Sequence, residues 1–115
     1  MEPAAELGEA EYEQRASSEL GALVDALDRI GEEVEAELAS GVLTLEFGDA
    51  TRYVLNSQRA ARQIWLAAER SAWHFDWNEA RRAWVSTRTG EELRETLGRL
   101  VAKKLGRPVD LSSSG

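Results

Sequence analysis

The period of the hydrophobic positions changes along the chain, and the changes mark the elements. From about Glu9 to Ile30, Leu20, Leu23, Val24, Leu27 and Ile30 recur at i, i+3, i+4, i+7 and i+10, with Tyr12 and Ala16 extending the stripe backwards. That spacing predicts an amphipathic helix with one apolar face, and Gly31 is a fitting stop. The period then becomes two: Val34, Ala36 and Leu38 alternate with Glu33, Glu35 and Glu37, as in a half-buried strand. Ala39-Ser40-Gly41 turns the chain into a second strand, Val42 to Phe47, with Leu43, Leu45 and Phe47 on one side. Gly48-Asp49 is a hairpin signal, followed by strands at Arg52 to Leu55, Gln63 to Ala67, His74 to Trp77 and Ala83 to Ser86, with a polar loop from Asn78 to Arg82.

The pattern ends as it began, in a helix. Thr89 and Glu92 have the spacing of a capping box. Leu93, Leu97, Leu100, Val101 and Leu105 follow at i, i+4, i+7, i+8 and i+12. Lys103 and Lys104 complement the negative end of the dipole, and Gly106 and Pro108 stop the helix. Strands joined by short turns pair antiparallel and leave one face open to solvent. Two one-faced helices cover the other face, so the expected class is α+β: a two-layer sandwich with the N- and C-terminal helices on one face of an antiparallel sheet.

Length and composition narrow the function classes. The 115 residues suit one domain. We expect residues 1–8 to be a flexible N-terminus, 9–111 the folded domain and 112–115 a flexible tail. The chain has no Cys, which removes disulfides, thiolate metal sites and cysteine nucleophiles. No apolar run approaches the length of a membrane span. No basic residue precedes Arg15, unlike a secretory signal or a mitochondrial presequence, so the expected compartment is the cytoplasm. The net charge of −7 argues against a nucleic-acid partner. That charge is polarised: residues 1–49 hold 14 acidic against 2 basic side chains (net −12), residues 50–115 hold 7 against 12 (net +5).

Much of the negative charge falls in one short stretch. Asp25, Asp28 and Glu32 share a flank at the end of the first helix, and Glu33, Glu35 and Glu37 share the outward face of the first strand. Carboxylates at a helix C-terminus oppose the dipole by ~0.3–1 kcal/mol each, and neighbouring like charges add to the cost. A sequence that breaks a local rule points to function, and clustered carboxylates suit hard cations held through oxygen and water. The plainer reading is a solvated, solubilising face. Farther on, if Ile64 and Leu66 face the helices, Gln63 and Trp65 face the open side. An open-face Trp beside amides at Asn56, Gln58 and Gln63 is either a protein-contact anchor or a cover for its own sheet. His74, the one histidine, shares a strand face with Asp76, as an acid–base unit or as a surface polar pair. Arg59, Arg62, Arg70, Arg81 and Arg82 sit in loops around the strands, interleaved with tryptophans, which suits an acidic partner better than a single-stranded nucleic acid. Neither a P-loop, a G-x-G-x-x-G nor a G-x-S-x-G motif occurs.

Gly41-Val42-Leu43-Thr44-Leu45-Glu46-Phe47, then Asn56-x-Gln58, Gln63-Ile64-Trp65-Leu66-Ala67 and His74-Phe75-Asp76-Trp77 together resemble the frataxin family in its bacterial branch, over roughly Glu9 to Leu111. The resemblance implies the frataxin-like fold. It further implies an iron-binding regulator of iron–sulfur cluster assembly, not an enzyme, that modulates a cysteine desulfurase and its scaffold protein as iron donor or sensor. By position, iron (Fe2+ or Fe3+, with other divalent cations as substitutes) falls on Asp25, Asp28, Glu32, Glu33, Glu35 and Glu37, with His74 as an auxiliary contact and Arg29 interrupting the ridge. Partner docking falls on Asn56, Gln58, Gln63 and Trp65. Two alternatives stay open: a ferroxidase or iron-storage protein, and an acidic adaptor without a metal role. A monomer is the expected state, with iron-dependent assembly under the storage reading.

Overall fold

The computed structural model describes residues 7–111. The expectations for 1–6 and 112–115 lie outside the described residues. Helix α1 (Glu9–Asp28) leads into six strands, β1 (Val34–Ala39), β2 (Val42–Phe47), β3 (Arg52–Gln58), β4 (Gln63–Ala68), β5 (Ser71–Asn78) and β6 (Ala83–Ser86), and helix α2 (Leu93–Leu105) closes the chain. The strands form one antiparallel sheet in sequential order, β1-β2-β3-β4-β5-β6. The two helices cover one face, giving the α+β two-layer sandwich that the periodicity predicts.

The apolar stripes supply the core. Tyr12, Ala16, Leu20, Leu23 and Leu27 of α1 and Leu93, Leu97, Leu100 and Val101 of α2 are buried. They pack on Leu43, Leu45, Leu55, Ile64, Leu66, Phe75 and Trp84 from the inner face of the sheet. Each such aliphatic side chain contributes about 1.5–3 kcal/mol through burial. Arg94 of α2 donates to both carboxylate oxygens of Glu19 on α1, at 2.9 and 3.0 Å, and ties the helices together. The Tyr12 hydroxyl donates to the carbonyl of Gln63 at 2.8 Å and anchors α1 to the start of β4. Leu7, placed before the domain by the sequence pattern, is buried in the same core, and Leu111 closes it at the other end beside Gly98.

Several boundaries differ from the expectations. The stripe predicts a helix to Ile30, but α1 ends at Asp28, and Ile30 packs partly buried beyond it. Strand β3 runs three residues past Leu55, and β5 starts three residues before His74. The β4–β5 hairpin turns on only two residues, Glu69 and Arg70, both at positive φ (47° and 68°). That geometry normally takes Asn or Gly, so the sequence carries no signal for it. The Thr89 capping box is replaced by one three residues later, in which the Glu95 carboxylate accepts from the Glu92 N–H at 3.1 Å. The cause is tertiary: Ser86 N–H donates to the Glu91 carbonyl and Val85 bridges to Glu92, so residues 91–92 extend along the edge of β6. Leu38 is 39% exposed at the end of edge strand β1, where α1 does not cover it.

Candidate functional site

Two surfaces remain after the core is accounted for. The first joins the end of α1 to β1. Asp25 and Asp28 are exposed in the last turns of α1, which contain no basic residue. Asp28, Glu32 and Glu35 line one shallow open depression together with Gly31, Val34 and Ala36. Glu35 and Glu37 point outward from β1, and Glu35 lies directly opposite Glu46 on β2, a like-charge pair that costs stability. Arg52 on β3 offsets part of that charge through an ion pair to Glu46 at 3.7 Å. Glu33 differs from its neighbours. It is ion-paired with Arg107, whose Nε donates to it at 3.1 Å and which also caps the Ile30 carbonyl. The exposed acids that retain ridge character are therefore Asp25, Asp28, Glu32, Glu35 and Glu37.

Among the described residues, no three His, Asp or Glu side chains converge into a ligand cage. Exposed carboxylates spread over a helix end and a strand fit a hydrated hard cation held by one or two oxygens, with water filling the remaining positions. They do not fit a closed, metal-selective site.

The second surface is the uncovered face of the sheet. Side chains on one face line up in rows across the strands. One row reads Val42, Asn56, Trp65 and His74, and the next reads Gln58, Gln63 and Asp76. All the predicted docking residues thus fall on two adjacent rows, and Asn56, Gln58, Gln63 and Trp65 are each half-buried. The Trp65 indole stacks on the His74 imidazole at a centroid distance of 4.3 Å and an angle of 12°. Its Nε1–H donates to Gln63 Oε1 at 2.7 Å, and Gln63 Nε2 donates to Asp76 Oδ1 at 3.0 Å. His74 accordingly belongs to the Trp65 row on β5, four strands along the sheet from Glu35 and Glu37, and the structure does not bring it to the acidic ridge. The His74–Asp76 pairing also separates: one stacks on Trp65 while the other holds Gln63. Asp76 is a member of this surface that the candidate set omits; its i+2 spacing from His74 on a strand was the available signal.

The arginine set is largely occupied within the chain. Arg59 pairs with Glu9 and Glu13, Arg62 with the Leu7 carbonyl, Arg81 with Glu92, and Arg82 with Glu79. Trp77 and Trp84 are buried, and Arg15 lies over the Trp77 ring at 4.5 Å. Arg59 and Arg15 tie α1 to the sheet side, Arg81 ties the β5–β6 loop to the start of α2, and Arg82 stays within that loop.

The frataxin-like domain model matches residues 5–107. The chain belongs to the frataxin family, in its bacterial branch. It is 39% identical over 102 residues to the iron-sulfur cluster assembly protein CyaY of Ralstonia nicotianae, covering 85% of this chain and 88% of that one. The fold superposes on the frataxin of Psychromonas ingrahamii with a TM-score of 0.85 at 26% identity, over 93% of this chain and all of the other. It also matches a ferrous complex of the trimeric frataxin of the yeast Saccharomyces cerevisiae, with a TM-score of 0.70 at 33% identity, over 81% of this chain and 87% of the yeast one. No helix among the described residues is long and apolar enough to cross a membrane.

Proposed function

We propose that this chain acts in iron–sulfur cluster assembly as a cytoplasmic iron-binding regulator and not as an enzyme. In this reading the acidic ridge takes ferrous or ferric iron as cargo, and the Trp65 face docks on the cysteine desulfurase and its scaffold protein. One arrangement carries the reading. A row of carboxylates kept against local electrostatics, Asp25, Asp28, Glu32, Glu35 and Glu37, borders a sheet face whose centre is a half-buried Trp among amides. Neither feature serves the core. Membership of a family whose relatives are named iron–sulfur cluster assembly proteins supports the role, and the ferrous complex of the yeast frataxin supports iron as the cargo.

Iron binding at such a ridge is weak and water-rich, which suits a donor or sensor that releases its metal. Oxidative storage needs either assembly into large particles or a defined two-metal carboxylate site, and the spread of these acids does not favour the second. The deciding experiment is a cluster-assembly assay with purified desulfurase, scaffold and sulfur source, with and without this protein, across iron concentrations. An iron-dependent change in rate that disappears with Trp65→Ala is the expected result. An unchanged rate at every iron level refutes the proposal. Sizing the protein with excess iron and oxygen tests the storage reading, in which a high-mass species grows.

A further inference from the structure

We infer that Asp76 is a positioning residue that fixes the presentation of Trp65 through Gln63. The inference deepens the docking reading above and rests on it for its consequence, though not for its geometry. The argument turns on hydrogen-bond polarity. An indole N–H can only donate and a carboxylate can only accept, whereas a Gln amide has one end of each kind and two orientations. Gln63 lies between the other two, with Trp65 Nε1–H to its Oε1 at 2.7 Å and its Nε2 to Asp76 Oδ1 at 3.0 Å. The acceptor at one end and the donor at the other permit a single amide orientation. The carboxylate bond is charge-assisted and is the stronger tether.

The register makes the chain of bonds continuous. Asp76 is the cross-strand partner of Gln63, and His74, two residues earlier on the same face, is the partner of Trp65. The indole is therefore held twice: its N–H edge by Gln63 and one ring face by the imidazole of His74, parallel at 4.3 Å. A half-buried Trp without these restraints samples several rotamers, and ordering it on docking costs affinity. Asp76 needs no contact with the partner to matter, because it sets the polarity of the amide that holds the indole.

The test has a structural and a binding arm. In 15N–1H spectra of the protein, Asp76→Ala is expected to move the Trp65 indole N–H resonance, quicken its exchange with solvent and weaken the cross-relaxation between the Trp65 and His74 rings. The indoles of Trp77 and Trp84 are expected to stay in place. Asp76→Asn keeps an acceptor but permits both amide orientations, so its effects should fall between those of the wild type and Asp76→Ala. A Trp65 indole unmoved by Asp76→Ala overturns the inference. In the binding arm, with purified desulfurase–scaffold complex as the probe, Asp76→Ala is expected to raise the Kd roughly 2- to 10-fold, the range of one hydrogen bond. An unchanged Kd, where Trp65→Ala weakens docking, overturns the positioning role. Trp65→Ala docking as tightly as wild type instead sinks the docking reading, and the indole spectra still decide the bond chain.

Discussion

Replacing Trp65 with Ala separates a surface built for contact from one built for stability, and Trp84→Ala is its internal standard. Trp65 is half-buried on the uncovered face, where it makes one hydrogen bond at 2.7 Å and one stack at 4.3 Å. A hydrogen bond contributes about 0.5–1.5 kcal/mol net, and an aromatic pair about as much beyond its area. Neither loss leaves a sealed cavity, so the variant should be less stable by about 1–3 kcal/mol, a fall in Tm of roughly 5–15 °C. Trp84 is 1% exposed and contacts Tyr12 and Trp77 edge-on at 6.0 and 5.7 Å, so its loss opens a core cavity and should cost ~3–5 kcal/mol. Docking should rank the two in the opposite order. Removing a central Trp anchor weakens binding by ~2 kcal/mol or more, about 30-fold. The measurements are thermal unfolding of both variants and a titration of Trp65→Ala into a desulfurase–scaffold complex. A Trp65→Ala protein as unstable as Trp84→Ala, or one that binds unchanged, would show that Trp65 is structural cover.

The ridge should display the opposite trade. Asp28→Asn removes a charge that opposes the α1 dipole, so stability should rise by a few tenths to ~1 kcal/mol while iron-induced shifts of the Asp25 to Glu37 backbone resonances shrink; lost stability would contradict the dipole argument. In that titration Glu33 should respond least, because Arg107 already holds its carboxylate, and Arg107→Ala should make it respond. The Glu19–Arg94 bridge has side chains only 13% and 24% exposed, so Arg94→Ala should cost ~1–3 kcal/mol by urea unfolding, and a Glu19→Ala/Arg94→Ala double variant should lose less than the two singles combined. On pH, the hydrogen bond from Arg99 holds the Glu91 carboxyl below its ordinary value, and Lys104 does the same for Asp49. Depressed carboxyl groups add stability above their unfolded pKa and lose it as pH falls through the folded one. Tm should therefore decline on acidification from neutral pH, and Glu91→Gln should flatten part of that decline; an identical slope would exclude Glu91 as a contributor.

The parts of the fold that were readable from sequence are those where local pattern and tertiary demand agree. Both helix stripes and the alternation Leu43, Leu45, Phe47 predict which residues are buried, because burial alone sets those periods. The misplaced boundaries lie where tertiary contacts override local preference. The Glu69-Arg70 turn takes positive φ without Gly or Asn, held by the register of Ala68 on Ser71. The start of α2 moves from Thr89 to Glu92 because β6 captures residues 91–92. The site shows the same division. Strand alternation brings Trp65, Gln63 and Asn56 to the open face, but the assignment of His74 depends on which strand lies beside which, and that becomes fixed only when β5 pairs with β4. Glu33 is the reverse case: its position on the ridge is legible, while its partner, Arg107, lies 74 residues away.

The two surfaces share one sheet, and this constrains how a metal on one could be read at the other. Glu37 stands on β1 and Trp65 on β4, three strand spacings apart, or about 14 Å at ~4.8 Å each. That exceeds the Debye length of ~8 Å at physiological ionic strength, and the side chains between them, Thr44, Val42, Val54 and Asn56, include two valines and a single amide, Asn56, beside Trp65. A cation on the ridge therefore has little direct purchase on the indole. A protein partner is different, since a standard interface of ~800 Å2 per side spans some 28 Å and covers both surfaces at once. Under the proposed function, iron must act by changing the charge the partner meets and not by reshaping the Trp65 face. Metal should then leave the Trp65 indole resonance of the isolated protein in place. It should change affinity for the desulfurase–scaffold complex, and that change should fade as salt is raised. An indole that moves with metal in the free protein would mean that the coupling runs through the sheet itself.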